Sequence, residues 1–200
     1  MRLKTGSPAP PFEVVDTTGR IRRLEDYRGK RLLLSFYRYA ACPYCNLRIH
    51  RLEQCYDDLA AEGLNVLAFF QSDSDRVDRI VGEQLPPFPL VGEPERAVYG
   101  RYGVESSTLG FLAGLVKPTA IVALSKGFLP GKMEGDKRLL PADFLIGPDL
   151  RIADAFYAKD ISQHMPLSRI RAFLAGGRGA RAQAAPVHHL EGASPAVSAF

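Results

Sequence analysis

Two cysteines three residues apart, Cys42 and Cys45, are the side chains of this sequence best suited to covalent chemistry. They follow residues 31–37, an apolar run with the length of a strand that is buried on both faces. Proline is favoured at the first position of a helix, so Pro43 makes Cys42 the helix N-cap. Unpaired backbone N–H groups and the positive end of the helix dipole favour a thiolate there. We therefore expect Cys42 to be the nucleophile and Cys45, one turn deeper, to resolve the mixed disulfide that Cys42 forms.

The same spacing of two cysteines also occurs in zinc sites and in ordinary cores. A zinc site needs further ligands, but the sequence has no second C-x-x-C, and His50 and Cys55 would lie on different helix faces. Burial alone could account for Cys45, but not for Cys42 at a helix start that proline marks. We therefore expect no metal at this pair, and we assign Cys55 to the core.

Length and composition indicate one soluble globular domain of 200 residues, 46% of them hydrophobic and 24% charged. Basic residues outnumber acidic ones by 26 to 22, which gives a net charge of +4. Much of the excess lies in residues 20–31, where acidic residues interrupt it and no nucleic-acid motif is present. We therefore expect a solvated charged face and no nucleic-acid partner.

The N-terminus lacks the apolar core of a signal peptide, and no apolar run approaches the length of a membrane-spanning helix. These features predict a cytoplasmic protein without a membrane partner. In that compartment a C-x-x-C pair is expected to cycle between dithiol and disulfide, because structural disulfides are rare there.

The apolar pattern predicts strands and helices in an α/β order. Residues 13–16 and 20–24 form a hairpin around Gly19. The central strand then enters the cysteine helix, whose apolar stripe can end at Gly63, and a second buried strand follows at residues 64–70. With the helix as crossover, the two strands lie parallel in a βαβ unit.

Later segments predict the remaining elements. The next elements are a helix capped by Ser72 or Ser74 and a short helix after Pro94. A hairpin of two strands follows at residues 140–146 and 151–157, and a last helix at residues 167–174. From residue 176 onward the chain is rich in Ala, Gly, Pro and Ser and contains His188 and His189, which predicts a flexible tail.

Residues 104–135 form an apolar insertion with two stretches that are separated at Lys117-Pro118. Two interpretations remain open. The segment is either a helical insertion packed on the sheet, or a lid or dimer face that covers the thiols. Something must cover it in either case, because apolar surface outside a sheet is rarely left exposed.

The order of elements is that of a thioredoxin-like fold, with a central mixed sheet flanked by helices, an N-terminal hairpin and a helical insertion. Individual residues narrow the resemblance to the alkyl hydroperoxide reductase and thiol-specific antioxidant family, the peroxiredoxins. It implies a domain at residues 3–175 with an insertion at 104–135 and a tail at 176–200. The positions that carry the resemblance are Gly6, Ala9, Pro10, Phe12, Asp16, Gly19, Leu24, Tyr27, Gly29, Lys30, Phe36, Tyr37, Pro94, Ala97, Tyr102, Gly103, Val104 and the run from Leu140 to Ile146.

The cysteine motif differs from the main pattern of that family. Peroxiredoxins carry P-x-x-x-T-x-x-C before the peroxide-attacking sulfur, whereas the frame here reads Arg38-x-x-x-Cys42-x-x-Cys45. The chain is similar to the peroxiredoxin-like branch with F-Y-R-x-x-x-C-P-Y-C-N-L. In that frame Cys45 takes the attacking position, so the resemblance favours Cys45 while helix-end electrostatics favours Cys42. We adopt Cys42, because a thiol on the apolar stripe would have a raised pKa.

Residues beside the thiols are expected to bind substrate. Arg38 is a candidate to stabilise the thiolate or a peroxide oxygen, with an ordinary surface arginine on a loop as the alternative. Tyr39, Pro43 and Tyr44 flank the two sulfurs in sequence and are assigned to substrate binding with it.

Pro141 precedes the strand that resembles the one carrying a cis-proline in thioredoxin-like proteins. A cis peptide bond there would expose backbone groups that could pair with an incoming disulfide substrate, so Pro141 is also assigned to substrate binding. His164 and Asp160, near the last helix, are a weaker pair and receive no catalytic role.

These observations predict an antioxidant thiol oxidoreductase that cycles Cys42 and Cys45 and reduces peroxides or protein disulfides. Electrons would come from a thiol donor, either a thioredoxin-like protein or glutathione, and no organic cofactor or metal would be needed. Two alternatives stay open: a glutaredoxin-type reductase that uses glutathione, and a redox-responsive interaction protein without catalysis. A homodimer that forms through the insertion is a further possibility.

Overall fold

The central strand of the sheet has both faces buried. A computed structural model describes residues 1–183 and places this strand at Arg31–Phe36. Leu32, Leu34 and Phe36 pack on one face of the sheet, while Leu33 and the following Tyr37 pack on the other. All five are fully buried. Such alternation of apolar residues on two buried faces requires layers of helices or loops on each side.

Five strands form the main sheet and two form a separate hairpin. In chain order the strands are β1 (Glu13–Val15), β2 (Ile21–Arg23), β3 (Arg31–Phe36), β4 (Leu64–Phe70), β5 (Leu90–Gly92), β6 (Ala142–Ile146) and β7 (Ile152–Tyr157). The main sheet has the order β5-β4-β3-β6-β7, and β1 pairs with β2. Strands β3, β4 and β5 are parallel, whereas β6 and β7 are antiparallel to their neighbours. The predicted hairpins, βαβ unit and mixed sheet are thus confirmed.

Helices cover the sheet and continue into the insertion. They are α1 (Pro43–Glu53), α2 (Tyr56–Ala61), α3 (Ser74–Ile80), α4 (Ala97–Arg101), α5 (Thr108–Leu115), α6 (Thr119–Ser125) and α7 (Leu167–Gln183), with short 3-10 helices at Leu24–Tyr27 and Gly82–Gln84. The prediction of one continuous helix from the cysteines to Gly63 is wrong, because the chain breaks between α1 and α2. At Cys55 the thiol donates a hydrogen bond to the Arg51 carbonyl at 3.3 Å, the acceptor that a continuing helix would give to the backbone N–H. The Cys55 N–H donates to the Leu52 carbonyl.

Two helix ends also differ from the prediction. The N-cap of α3 is Asp73, between the predicted candidates Ser72 and Ser74. The Ser72 hydroxyl is used elsewhere, since it accepts a hydrogen bond from the Ala40 N–H at 3.0 Å. Helix α7 continues past residue 174 to Gln183, into the segment predicted as a tail. The rest of that tail, with His188 and His189, lies outside the described residues.

The two ends of the insertion lie next to each other. Ser106 and Leu139 form an isolated antiparallel bridge, so the chain leaves and re-enters the domain at one place. Between them α5 and α6 are bent by 60° at the predicted break. Ser107 caps α5 by accepting a hydrogen bond from the Gly110 N–H at 3.1 Å. The far end returns to the cysteine loop, where the Gly131 N–H bonds the Ala41 carbonyl at 3.3 Å.

Close packing of α5 against the domain requires a glycine at position 114. A Cβ atom there would overlap the side chain of Ile161, whereas a Cβ atom at Gly100 in α4 would meet open space. We expect Gly114→Ala to lower the free energy of unfolding by about 1–3 kcal/mol through overpacking. Gly100→Ala, the matched control, should be neutral or stabilising by up to about 1 kcal/mol. Urea unfolding of both variants measures the difference, and equal stabilities would contradict the packing of α5.

Candidate active site

Cys42 is the N-cap of α1, as the sequence predicts. Its backbone is extended, with φ of −79° and ψ of 117°, and Pro43 occupies the first helical position. The Cys42 N–H bonds the Tyr39 carbonyl at 3.0 Å, and the Cys42 carbonyl accepts the first helical bond from the Asn46 N–H at 3.0 Å. The sulfur therefore lies at the positive end of the helix. Both Cys42 and Cys45 are fully buried.

The two thiols have opposite pKa shifts. Burial by itself raises the pKa of Cys42, but a hydrogen bond from the Cys45 thiol and the positive charge of Arg38 outweigh it and lower that pKa to about 6. Burial raises the pKa of Cys45, and the neighbouring Cys42 sulfur raises it further. At neutral pH the pair is therefore a thiolate at Cys42 that accepts a hydrogen bond from the thiol of Cys45.

Arg38 is buried, which answers the question that the sequence left open about this side chain. Its Nη1 lies 3.5 Å from the Cys42 sulfur, and its Nη2 donates to the Lys137 carbonyl at 2.6 Å. The guanidinium carbon lies 5.1 Å from the centre of the Tyr39 ring and 5.7 Å from that of Phe111. The cation thus contacts both the cysteine loop and the insertion.

A cavity of about 170 Å³ lies beside the cysteine loop, between α1 and the insertion. Four of the five residues predicted to bind substrate line it, namely Arg38, Tyr39, Pro43 and Tyr44. The insertion supplies most of the other walls, which are predominantly apolar: Phe111, Leu115, Ala120, Leu124, Pro130 and Met133, together with Ile161. The insertion therefore packs over the residues that flank the thiols, while neither sulfur is among the residues that line the cavity. Both interpretations of residues 104–135 stay predictions.

Pro141, the fifth predicted residue, does not line that cavity. The prediction of a cis peptide bond at Pro141 is wrong, since no peptide bond among the described residues is cis. The chain here continues an extended ladder: the Leu140 N–H bonds the Glu105 carbonyl at 2.9 Å, and the Pro141 carbonyl accepts the Ala158 N–H at 3.0 Å. Those pairings suit the ordinary trans bond, which is also the intrinsically favoured isomer.

Asn46, next to Cys45, fixes the cysteine loop and has no role in the sequence prediction. Its amide donates to the Ala40 carbonyl at 2.6 Å and to the Cys42 carbonyl at 3.0 Å. Its oxygen accepts a hydrogen bond from Gln84 at 2.6 Å. A buried side-chain amide needs hydrogen-bond partners, and the burial of Asn46 is visible only in the structure, so the sequence offered no signal for this role.

A buried polar group lies beside the Tyr37 ring, whose centroid is 4.8 Å from that of His164, on the side of the sheet where α7 packs. His164 Nδ1 lies 3.3 Å from Asp143 Oδ2, which also accepts the Met165 N–H at 2.6 Å. Burial raises the pKa of Asp143, but His164 and Arg48 lower it to a net decrease, and burial lowers the pKa of His164.

The partner of His164 is therefore Asp143 on β6, whereas the sequence paired it with Asp160. Asp160 instead accepts hydrogen bonds from Ser162 and Gln163 at 2.6–2.9 Å. Within residues 1–183, no three His, Cys, Asp or Glu side chains are grouped so as to hold a metal ion. Cys55 is half-buried at the edge of the core.

Comparison with known proteins gives one consistent family. The model of the AhpC/TSA family matches residues 5–155. Peroxiredoxin Bcp of Escherichia coli strain K12 is 31% identical over 110 residues, which cover 54% of this chain and 70% of that protein. The thiol-disulfide oxidoreductase ResA of Geobacillus thermodenitrificans is 29% identical over 139 residues, which cover 68% of this chain and 79% of that one. Peroxidoxin BcpB from Mycobacterium tuberculosis has the same fold, with a TM-score of 0.65, 19% identity, and coverage of 88% of this chain and 98% of its own.

The pKa of Cys42 can be measured in the folded protein without a labelling reagent, because a thiolate absorbs near 240 nm. We expect the reduced protein to form one thiolate with a midpoint near pH 6, so the anion is lost as the pH falls below that value. Arg38→Met should raise the midpoint by about 1–3 pH units, because an opposite charge is removed. Arg38→Lys, the matched control, keeps the charge and should move it less.

Single serine variants assign the titration to a sulfur. The signal near pH 6 should disappear in Cys42→Ser and persist in Cys45→Ser. The opposite pattern, or an unchanged midpoint in Arg38→Met, would contradict the electrostatic account of the site.

Proposed function

Because this chain belongs to the AhpC/TSA family, whose model matches residues 5–155, we propose that it reduces a small organic hydroperoxide with Cys42 as the attacking sulfur. Its relatives are peroxiredoxins and thiol-disulfide oxidoreductases, so the protein is a thiol-dependent oxidoreductase. A thiol reductant and a peroxide substrate are general to peroxiredoxins. The roles of individual residues and the choice of substrate are our proposals.

One observation carries the assignment of Cys42: it has the lowered pKa, and Cys45 beside it has the raised one. The thiolate is the nucleophilic form of cysteine, so at pH 7 only Cys42 is ready to attack. Cys45 keeps its proton until it is needed, which suits the resolving step.

The proposed reaction has two steps within the protein. The Cys42 thiolate attacks the terminal oxygen of the hydroperoxide, the O–O bond breaks, and the leaving alkoxide takes a proton to become an alcohol. Cys42 is thereby oxidised to a sulfenic acid. Cys45 then loses its proton and attacks the Cys42 sulfur, water leaves, and a Cys42–Cys45 disulfide forms. Two electrons and two protons from a thiol donor, either a thioredoxin-like protein or glutathione, restore the dithiol.

The form of the cavity favours a small and largely apolar substrate. Its volume of about 170 Å³ lies below the roughly 300–1,000 Å³ typical of sites for drug-sized ligands. Among the described residues that line it, Arg38 is the one charged side chain, and it can also stabilise the oxygen that leaves from the peroxide. The apolar side chains of the insertion suit the alkyl part of such a molecule.

Reduction of protein disulfides is the second candidate activity. It is supported by the C-x-x-C arrangement at a helix start and by the similarity to ResA. Against it, the sulfur of Cys42 has no exposed surface, so a folded protein could reach it only after the insertion moves. A small peroxide needs less opening, and we therefore rank it first.

Parallel assays separate these activities. With dithiothreitol as donor, we expect turnover of cumene hydroperoxide by the parent protein and a loss of at least about 1,000-fold in Cys42→Ser, because the nucleophile is gone. Cys45→Ser, reduced beforehand and assayed without dithiothreitol, should consume one equivalent of peroxide in a single burst, because its Cys42 sulfenic acid has no Cys45 thiol to resolve it. Insulin reduction and a glutathione mixed-disulfide assay run on the same samples.

Three outcomes would contradict the proposal. Peroxide turnover that survives in Cys42→Ser would make Cys45 the attacking sulfur. Insulin reduction that needs Cys42, without peroxide turnover, would make the protein a disulfide reductase. Turnover of glutathione mixed disulfides alone would make it a glutaredoxin-type enzyme.

Filling the cavity tests the choice of substrate. Ala120 on α6 lines it, and Ala120→Leu places about three extra carbons inside. We expect kcat/KM for cumene hydroperoxide to fall about tenfold or more, with hydrogen peroxide affected much less because it needs little space. Ser125→Leu adds the same side chain to an exposed position of α6 and is the control. Equal losses for both peroxides would contradict binding of the alkyl group in this cavity.

A further inference from the structure

The insertion exposes an unusual amount of apolar surface. Thirteen large apolar side chains are exposed among the described residues, and nine of them lie between positions 109 and 133. We call these nine the apolar patch. Leu109 is 78% exposed, Val116 83% and Ile121 71%. A concentration of this kind on one segment marks a contact surface, since scattered exposure would be ordinary.

Helix packing fixes the direction in which this surface faces. Leu109 and Leu112 on α5 and Val116 at its C-cap follow the spacing i, i+3 and i+7, so they share one face. Gly110 and Gly114 lie on the opposite face, where added Cβ atoms would meet the Lys159 carbonyl and the Ile161 side chain. These three side chains of the patch therefore cannot turn inward without lifting α5 from the domain.

Within the segment that carries the patch the charged residues are all lysines, while Lys117 pairs with Asp160 at 3.8 Å and Glu134 follows directly after Met133. From Ser106 to Met133 the sequence has three lysines, at positions 117, 126 and 132, and no acidic residue or arginine. Lys126 and Lys132 are exposed. An amphipathic surface with apolar residues on one side and lysines at its margin suits the interface of a bilayer that contains anionic lipid. A second copy fits less well, because a two-fold contact would bring like charges together.

The patch is continuous with the cavity beside Cys42. Leu115 and Leu124 belong to the patch and also form walls of the cavity, as does Met133. An apolar path therefore leads from the exposed face of the insertion to the residues that flank the thiols. A substrate with an acyl chain could pass along this path without crossing a polar surface.

From these observations we propose that the apolar patch docks this protein on the surface of an anionic bilayer. The hydroperoxide reduced there would be carried on a lipid acyl chain, of which only the segment that bears the peroxide enters the small cavity between Leu115 and Leu124, and this second part rests on the proposed function. No described helix is long and apolar enough to cross a membrane alone, and the pair that passes this criterion together is bent by 60°. The contact is thus peripheral. The expectation of no membrane partner rests on the absence of spanning segments, which a peripheral contact does not need.

Co-sedimentation with vesicles tests the docking directly. We expect binding to vesicles of equal parts phosphatidylcholine and phosphatidylglycerol, and at least tenfold weaker binding to phosphatidylcholine alone. Lys126→Gln with Lys132→Gln should weaken it by roughly fivefold for each lysine, which corresponds to about 1 kcal/mol per residue. Leu112→Gln with Val116→Gln should abolish binding at the same lipid concentration. Neither of these two side chains lines the cavity, so turnover of hydrogen peroxide should be unchanged.

The matched control replaces two exposed apolar side chains by glutamine on another surface of the protein. Val15 and Ile21 in the N-terminal hairpin are 52% and 51% exposed, and Val15→Gln with Ile21→Gln should bind vesicles like the parent. Absence of binding to anionic vesicles, or binding that persists in Leu112→Gln with Val116→Gln, would overturn the proposal. So would a dimer in sedimentation equilibrium that this double variant dissociates, with no vesicle binding by the parent.

Docking and catalysis are separated by one further sample. The variant with Cys42→Ser and Cys45→Ser should bind vesicles as the parent does, because neither sulfur is exposed. If it binds while the parent shows no peroxide turnover, the docking proposal stands and the proposed function fails. If the parent reduces cumene hydroperoxide but binds no vesicles, the reverse holds.

Discussion

A buried guanidinium beside a buried sulfur is the interaction on which the rest of this site depends. Removing a cation from water costs several kcal/mol unless it finds good partners. Arg38 finds them in the Cys42 sulfur, the Lys137 carbonyl and the faces of Tyr39 and Phe111. Phe111 belongs to the insertion and Lys137 follows directly after it. The segment that excludes water from the thiols therefore also supplies the hydrogen-bonding and aromatic partners that Arg38 would otherwise find in water.

The same interaction creates the difference between the two cysteines. Two sulfurs in contact cannot both ionise, because the second charge would be repelled by the first. Arg38 and the helix terminus select Cys42 for the negative charge, and the proton left on Cys45 stabilises that charge through a hydrogen bond. One local arrangement thus provides an attacking sulfur and a proton-bearing partner in direct contact. The proposed order of attack by Cys42 and resolution by Cys45 rests on this hydrogen bond together with the charge of Arg38.

Local chemistry made part of this site predictable from the sequence. Pro43 fixed the start of α1 and hence the N-cap position of Cys42, and the apolar run before it fixed the buried central strand. The errors arose where partners come from distant parts of the chain. Asp143 on β6 pairs with His164, and a thiol that bonds the preceding turn ends α1 near Cys55. Neither the spacing of residues nor a resemblance encodes such contacts.

The insertion shows why exposure is harder to predict than periodicity. Its composition indicates apolar helices, but only packing decides which apolar side chains face the domain and which face solvent. Gly110 and Gly114 let α5 lie close to the domain, so Phe111 reaches Arg38 while Leu109, Leu112 and Val116 remain outside. A helix that closed the site without an outer apolar face would need polar residues at these three positions. Polar residues there would cover the thiols equally well. The exposed apolar side chains at these positions therefore need a separate explanation, and contact with an apolar environment would supply it.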